Sequence, residues 1–330
     1  MTSAPEPILD SEPRRLHLYR TQNQLGDLLL NVPAIRAIRE RFPRSHITLV
    51  VGEQNAPAVV GQAWVDEVRV VQTRGFAGLL RESLRFGPHP DVAVHFTTVS
   101  YSKSGAYLVR ASRARTRVGF DPSYLRERDR AALTSAVPYP AGKPHQSEVS
   151  MALARALGAA HAPAPPHYVA DPRLFAAVPA GAVYLHPGAG KIKNRWPAAR
   201  FASVARELIA RGADVRWIEG PQDSGCVEEA GRALGRSLPV VSGEPIPMLA
   251  ARFARASLYV GNDTGPLHLA GATGCPTVGV YGWSDPAEWA PVGARVRSVR
   301  APDGALESVS VEQVLDAASS LLEPERCATA

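Results

Sequence analysis

The sequence is poor in the features that mark several classes of protein. Its 330 residues include only three cysteines, Cys226, Cys275 and Cys327, which lie far apart and form no C-x-x-C pair. A disulfide framework or a zinc site is therefore not expected, and a reducing compartment is favoured. No apolar run approaches the roughly 18–20 residues of a membrane span. Residues 1–15 are polar and proline-rich, which does not fit a signal peptide.

Two motifs of other nucleotide-dependent enzymes are also missing. No G-x-G-x-x-G follows a strand pattern and opens a helix, which argues against a dinucleotide oxidoreductase. No D-x-D cluster suited to a divalent cation occurs, so no metal site is predicted. A nucleotide-sugar epimerase would need further acid and base carboxylates around its substrate, and the sequence does not identify them.

Positive charge is unevenly distributed along the chain, whose formal net charge is +6. Residues 1–170 carry 21 Lys and Arg against 14 Asp and Glu, whereas residues 171–330 carry 16 against 17. Part of the excess is a crowded arginine cluster made of Arg110, Arg113, Arg115, Arg117, Arg126, Arg128 and Arg130. Two interpretations stay open: a solvated surface, or attraction of a phosphorylated acceptor or a membrane surface. Nucleic acid is not predicted, because no aromatic residues interleave with this charge.

Short β-branched runs alternate with amphipathic stretches in both halves, which predicts βαβ units and parallel sheets. Strands are predicted at 16–20, 46–51, 67–71, 91–96, 116–120, 182–187, 213–220, 257–262 and 276–282. Helices are predicted at 28–41, from about 53, and at 76–85, 101–110, 147–157, 196–210, 223–234, 247–255, 265–272 and 309–322. The fold class is therefore α/β, with two Rossmann-like doubly wound domains facing a central cleft.

The Pro- and Ala-rich stretch 162–172 separates the two halves, because each proline fixes φ and disfavours a helix before it. The predicted organisation is a disordered leader 1–13, an acceptor-binding domain 14–165, a linker 166–180, a nucleotide-sugar-binding domain 181–308, and a C-terminal helix and tail 309–330.

The first candidate site motif is Gln24-Leu25-Gly26-Asp27, between the first strand and the first helix. Asp27 is predicted at or near the N-terminal cap of that helix, and capping is a role that aspartate fills well. The alternative is a carboxylate that acts as general base and takes a proton from an acceptor hydroxyl.

Two further motifs follow strands in the second half. In His186–Pro197 a strand runs into a glycine-rich loop, where Lys191, Lys193 and Arg195 provide cations for a diphosphate unless the loop is only a flexible basic segment. In Gly261–Ala270 a strand runs into a helix whose first turn favours an anion through its N–H groups and dipole. Helix capping by Asp263 or Thr264 is the competing interpretation.

Together these motifs resemble the family 9 glycosyltransferases, whose best-known members are the ADP-heptose:lipopolysaccharide heptosyltransferases. The resemblance runs from Leu16 to about Glu323 and is carried by 25–51, 186–201 and 261–282. It implies the GT-B fold and an inverting mechanism in which Asp27 is the catalytic base. The run Lys193-Asn194-Arg195-Trp196-Pro197 departs from the usual family order before Trp-Pro, and Lys193 and Arg195 are favoured as the diphosphate cations.

The resemblance also implies roles for individual residues. Asp263, Thr264, Gly265 and His268 match the motif that binds the donor sugar and diphosphate. Asp223 falls where the family has an acidic residue on the ribose, and Glu244 lies in a segment like the adenine-binding one. On the acceptor side, the implied contacts are Lys103, His145 and Glu148.

The resemblance implies transfer of a heptose from ADP-heptose to an acceptor hydroxyl in lipopolysaccharide core or related glycan biosynthesis. The nucleotide-sugar is a substrate and no cofactor is required. The expected acceptor is an anionic glycan or glycolipid, and the expected location is cytoplasmic, with peripheral contact to the inner face of the membrane as a further hypothesis. Three alternatives remain: another nucleotide-sugar, a natural-product or protein acceptor, and a non-catalytic nucleotide-sugar-binding protein.

Overall fold

The computed structural model describes residues 6–72, 75–85, 88–97, 101–125, 131–223 and 225–322. The chain divides into two compact units, Met1–Ala164 and Pro165–Ala330. Each unit holds a six-stranded sheet in which every neighbouring pair of strands is parallel. The α/β prediction is confirmed. Arg126, Arg128 and Arg130 of the arginine cluster, and Cys327, lie outside the described residues.

The first unit has the strand order β3-β2-β1-β4-β5-β6. Its strands are β1 Arg15–Arg20, β2 His46–Gly52, β3 Glu67–Val71, β4 Val92–His95, β5 Thr116–Phe120 and β6 Ser135–Val137. Its helices are α1 Leu25–Arg41, α2 Gly75–Leu84, α3 Lys103–Ala111 and α4 Gln146–Ala156. On one face of the sheet, Tyr19, Val50 and Val71 form an apolar cluster with Leu108 and Val109 of α3.

The second unit repeats this order as β12-β11-β10-β7-β8-β9. Its strands are β7 Val183–His186, β8 Val215–Glu219, β9 Val240–Ser242, β10 Leu258–Asn262, β11 Thr277–Tyr281 and β12 Val296–Arg300. Its helices are α5 Ala198–Ala210, α6 Cys226–Leu234, α7 Ile246–Ala254, α8 Gly265–Ala272, α9 Pro286–Trp289 and α10 Val311–Leu322. Trp196, Phe201 and Trp217 are almost fully buried in its core, together with Val314 and Leu321 of the last helix.

The segments predicted to lie outside the two domains make defined contacts. In the predicted leader, the Ile8 N–H donates to the Ala156 carbonyl at 2.8 Å. In the predicted linker, the His167 N–H donates to the Ala272 carbonyl at 2.9 Å, and a 3₁₀ turn covers Pro172–Ala177.

The helix predicted from about Glu53 is wrong. The structure has only a 3₁₀ turn at Ala56–Ala58, because Pro57 has no N–H to donate and Gly61 takes a left-handed φ of +82°.

Candidate active site

Both sheets reverse their winding direction at one point. In the first unit this switch lies between β1 and β4, and in the second between β7 and β10. Ligands of doubly wound sheets bind beyond the carboxyl ends of the strands at such a switch. Asp27 follows β1, the glycine-rich loop follows β7, and the Asp263–His268 segment follows β10. The motifs identified in the sequence therefore lie where the topology predicts a site.

Asp27 lies in the first turn of α1 and does not cap it. The helix begins at Leu25, three residues before the predicted start, so its N-terminal cap is Gln24, whose side chain makes no capping bond. Asp27 Oδ2 instead accepts a hydrogen bond from Arg20 Nη2 at 2.9 Å. Arg20 is only 1% exposed at the end of β1, whereas the Asp27 side chain is 24% exposed. The buried Arg20 thus holds the carboxylate in place, while part of the Asp27 side chain is exposed to solvent.

His95 ends β4 on the other side of the same switch. Its ring is buried, and burial together with nearby Arg20 lowers the pKa of His95 to about 3, so the ring is neutral. Its Nε2 has no hydrogen-bond partner among the described residues. Close by, Thr21 Oγ1 lies 3.1 Å from Ser102 Oγ, which caps α3 by accepting from the Gly105 N–H. Lys103, the first residue of α3, is exposed beside this cap.

The other predicted acceptor residues lie at the start of α4. His145 is the N-terminal cap, and its Nδ1 accepts from the Ser147 N–H at 3.3 Å. Glu148 pairs with Arg155 at 2.7 Å.

Helices α1 and α4 pack in parallel. Asn31 donates to Ser150 near their middle, and at their ends a Cβ added to Gly158 would lie 3.2 Å from Arg41. Both helices also follow strands of the same parallel sheet, so their first turns share its carboxyl edge. His145 and Glu148 therefore lie on the same edge as Asp27.

In the second unit, a buried asparagine fixes the glycine-rich loop. Asn262 is fully buried at the end of β10. Its Nδ2 donates to the carbonyls of Pro187 and Gly188 at 3.0 and 3.1 Å, and its Oδ1 accepts from the Trp196 N–H at 2.9 Å. One side chain thus secures both ends of the loop that carries Lys193 and Arg195.

Asp223 packs against the same loop, and its carboxylate is hydrogen-bonded to a histidine. Its Oδ2 is 2.5 Å from His186 Nε2 and accepts from the Gly220 N–H at 2.7 Å. Burial acts to raise the pKa of Asp223, but these hydrogen bonds hold it below its ordinary value. The other ring nitrogen of His186 lies 3.3 Å from Thr264 Oγ1. The carboxylate predicted to meet a ribose is therefore engaged with His186 here and is 4% exposed.

Gly188 packs directly against this carboxylate. A Cβ at Gly188 would lie 2.2 Å from Asp223 Cγ, whereas a Cβ at Gly190 would meet only the tip of the Gln222 side chain. Gly188→Ala is therefore expected to lower the free energy of unfolding by about 1–3 kcal/mol, as overpacking does. Urea denaturation checks this expectation. Gly231→Ala, in α6 with no atom within 4 Å of the added Cβ, is the matched control and should be neutral or stabilising.

The two predicted diphosphate cations are held differently. Arg195 donates from Nε to the Ala189 carbonyl at 2.7 Å and from Nη2 to the Gln222 carbonyl at 3.2 Å, so part of its guanidinium braces the loop. Lys193 is exposed, and its Nζ lies 3.7 Å from the centroid of the Trp283 ring. Both cations line a hollow of about 390 Å³ with Trp283 and residues 304–307.

The Asp263–His268 segment forms the start of α8. Thr264 is the N-terminal cap, but its side chain makes no capping bond, and Gly265 is the first helical residue. His268 is buried, with Nε2 3.6 Å from Asp263 Oδ1 and with no described hydrogen-bond partner for Nδ1.

Glu244 lies between β9 and α7. Its carboxylate accepts both Nε, at 2.6 Å, and Nη2 of Arg252. The residue predicted near adenine is thus an ion-pair partner in this structure.

Sequence reasoning missed four residues that shape these sites, namely Arg20, His95, Asn262 and Trp283. Three of them end a strand next to a switch point, which is a signal that the strand pattern itself contains. Trp283 follows β11, and its Nε1–H donates to Asn194 Oδ1 at 2.7 Å. Nothing in its local sequence indicates that contact.

Comparisons with known proteins agree with this architecture. The family model for glycosyltransferase family 9 (heptosyltransferase) matches residues 95–318. Lipopolysaccharide heptosyltransferase 3 of Escherichia coli is 26% identical over 289 residues, covering 81% of this chain and 83% of that protein. A family 9 glycosyl transferase structure from Veillonella parvula covers 95% of this chain and 98% of its own, with a TM-score of 0.84 and 22% identity. The E. coli heptosyltransferase WaaC, solved with ADP, covers 93% and 99%, with a TM-score of 0.78 and 20% identity.

At these identities the structural likenesses show a shared fold. Two doubly wound parallel-sheet units of this kind are the GT-B architecture. The family model matches well over half of the sequence. The chain therefore belongs to glycosyltransferase family 9, the heptosyltransferase family.

Two kinds of feature are absent from the residues that the structure describes. None of their helices is long and apolar enough to cross a bilayer. Within the same residues, no three His, Cys, Asp or Glu side chains are grouped as ligands for a metal ion.

Proposed function

We propose that the protein moves a heptose from ADP-heptose to an acceptor hydroxyl of the lipopolysaccharide core or a related glycan, with inversion at the anomeric carbon. The first unit binds the acceptor and the second binds the donor. The observation that carries this proposal is the Arg20–Asp27 pair at the switch point of the first sheet, which presents a carboxylate to solvent. Membership of the heptosyltransferase family, and a related structure solved with ADP, support the choice of donor.

In the proposed reaction, the acceptor oxygen forms a bond to the anomeric carbon while the bond from that carbon to the diphosphate oxygen breaks. Asp27 takes the proton of the acceptor hydroxyl, and ADP leaves with the bonding electron pair. General-base catalysis of this kind contributes roughly 10²–10⁴-fold to the rate. Arg20 holds the carboxylate in position through Oδ2.

The leaving diphosphate gains negative charge in the transition state, and we assign its stabilisation to Lys193, Arg195 and the first turn of α8. Lys193 has to leave its contact with Trp283. A cation–π contact at an exposed site is worth about 0.5–1 kcal/mol. A hydrogen bond to a charged group contributes about 1.5–3 kcal/mol. The balance therefore favours transfer of Lys193 to the diphosphate.

Calorimetric titration with ADP, UDP and GDP tests the donor assignment. ADP is expected to bind in preference to the other two, and Lys193→Ala to weaken it roughly 10- to 100-fold, the loss of one charge-assisted hydrogen bond. Arg236→Ala, which removes an exposed cation between α6 and β9 in the same unit, is the matched control and should leave ADP affinity within about twofold. If no nucleoside diphosphate binds, the donor assignment is wrong. If ADP binds but ADP-heptose is never consumed with any acceptor, the non-catalytic alternative is correct.

A further inference from the structure

A second hollow, lined by several charged side chains, lies in the first unit at the edge of the sheet opposite Asp27. It has a volume of about 460 Å³ and is lined by Arg14, Arg15, His17, Thr48, Glu67 and Arg69, among others. Arg15 begins β1 and Arg20 ends it, so the amino and carboxyl edges are about 17 Å apart at 3.3–3.4 Å per residue. We call this hollow the amino-edge pocket.

The amino-edge pocket lies on a sheet face where apolar residues are the rule. Parallel sheets covered on both faces read as nearly continuous apolar runs. On this face Tyr19 and Val50 obey that rule, because they pack in the cluster with α3. Two residues earlier on the same strands and the same face stand His17 and Thr48. The polar residues are thus confined to the part of the face that borders the pocket.

The charges in this pocket do not balance. Glu67 accepts from Arg69 at 3.1 Å and from Thr48 at 3.1 Å, which satisfies one carboxylate with one guanidinium. Arg14 and Arg15 are exposed, and among the described residues neither of their side chains forms an ion pair. Burial and then Arg69 lower the pKa of His17 to about 4, so this ring adds no charge near pH 7. With the Asp91 carboxylate beside the Arg14 and Arg15 N–H groups also counted, one positive charge is left over, and both guanidinium groups are without an ion-pair partner among the described residues.

These cations stand on a fixed backbone. The N–H groups of Arg14 and Arg15 both donate to Asp91 Oδ2, at 2.8 and 2.9 Å. The next residues of β1 pair with β2 on one side and β4 on the other. Because the backbone of both arginines is already fixed, a ligand has to order only their side chains, which lowers the entropy cost of binding.

We propose that the amino-edge pocket binds the phosphate group of a small molecule or of a lipid headgroup. Guanidinium groups match phosphate oxygens in bidentate geometry, and the hollow is large enough for a phosphorylated sugar or nucleotide fragment. The first unit carries 21 Lys and Arg against 14 Asp and Glu, so its field draws anions toward this surface. The inference does not depend on the proposed reaction.

Calorimetry of the full chain with inorganic pyrophosphate at low salt tests the proposal. The proposed donor site is also expected to bind pyrophosphate, so the titrations use the Lys193→Ala/Arg195→Ala variant, in which one binding event should remain. Adding Arg14→Gln/Arg15→Gln is expected to weaken that event at least about tenfold. Arg110→Gln/Arg115→Gln removes the same charge from two exposed arginines of the same unit and should change it less than threefold.

Co-sedimentation with vesicles of anionic phospholipid separates the two sources of phosphate. The ligand is a lipid headgroup if the protein binds vesicles but not pyrophosphate, and if Arg14→Gln/Arg15→Gln reduces the vesicle binding. Pyrophosphate binding without vesicle binding identifies a soluble ligand. The proposal is overturned if the Lys193→Ala/Arg195→Ala variant binds neither pyrophosphate nor vesicles. It is also overturned if Arg14→Gln/Arg15→Gln and Arg110→Gln/Arg115→Gln weaken binding equally. If the wild type binds one pyrophosphate and Lys193→Ala/Arg195→Ala does not weaken that binding, the donor-site assignment is wrong, and the proposal for the amino-edge pocket is not affected.

Discussion

Asp27→Asn is expected to reduce the rate of sugar transfer by roughly 10²–10⁴-fold, because asparagine cannot accept the acceptor proton. The amide oxygen still offers Arg20 a hydrogen-bond acceptor, so this variant should lose less stability than an alanine variant, and its affinity for ADP should change little. Release of ADP in the presence of ADP-heptose and an acceptor glycan measures kcat, and calorimetry measures the affinity. Asp66→Asn is the matched control: Asp66 is ion-paired with Arg39 in the same unit, and its loss should leave kcat unaltered.

The alanine variant would give a less clear result. Arg20 is 1% exposed, and burial lowers its pKa while Asp27 opposes that shift. Removing one partner of a buried pair leaves an uncompensated charge and costs about 3–5 kcal/mol. Asp27→Ala would therefore lose activity through unfolding as well as through chemistry. Retention of near-normal kcat by Asp27→Asn would exclude Asp27 as the base and leave it the role of neutralising Arg20.

The sequence was sufficient to predict the architecture but not all of its strands. Strong β-branched runs such as residues 46–51 identified the central strands, and the alternation with helices indicated parallel sheets. The edge strands Ser135–Val137, Val240–Ser242 and Val296–Arg300 were missed. The first two are only three residues long and the third is largely exposed, so no apolar run marks them. Their pairing depends on neighbours that are distant in sequence.

The site was predictable to the same degree, and for related reasons. Motifs next to a strand end, such as Asp27 and Asp263, stand out because turn chemistry and spacing are local. The contacts that fix them are not local: Arg20 reaches seven residues along the chain, and Asn262 spans 66 residues to Trp196. Asp223 shows the limit most clearly, since its depth under Gly188 and its bond to His186 cannot be read from its own segment.

Asn262→Leu is expected to destabilise the second unit by about 3 kcal/mol or more. Leucine fills a similar volume but leaves the carbonyls of Pro187 and Gly188 and the N–H of Trp196 without their partner, and each buried orphan costs about 1–3 kcal/mol. Urea denaturation measures the loss. Asn31→Leu is the matched control, since Asn31 is equally buried in the first unit but donates only to Ser150, so its loss should cost about 1 kcal/mol.

The two asparagine variants also separate a stability effect from an effect on donor binding. The loop that Asn262 secures carries Lys193 and Arg195. In the Asn262→Leu variant this loop is no longer held in place, so each donor molecule that binds must order it. If that ordering costs about 1.4 kcal/mol, the Kd for ADP rises about tenfold. Asn31→Leu should leave the Kd for ADP unaltered below its unfolding transition. A destabilised Asn262→Leu protein that binds ADP as tightly as the wild type would show that the glycine-rich loop does not contribute to the donor site, and the diphosphate would then have to be held by the first turn of α8.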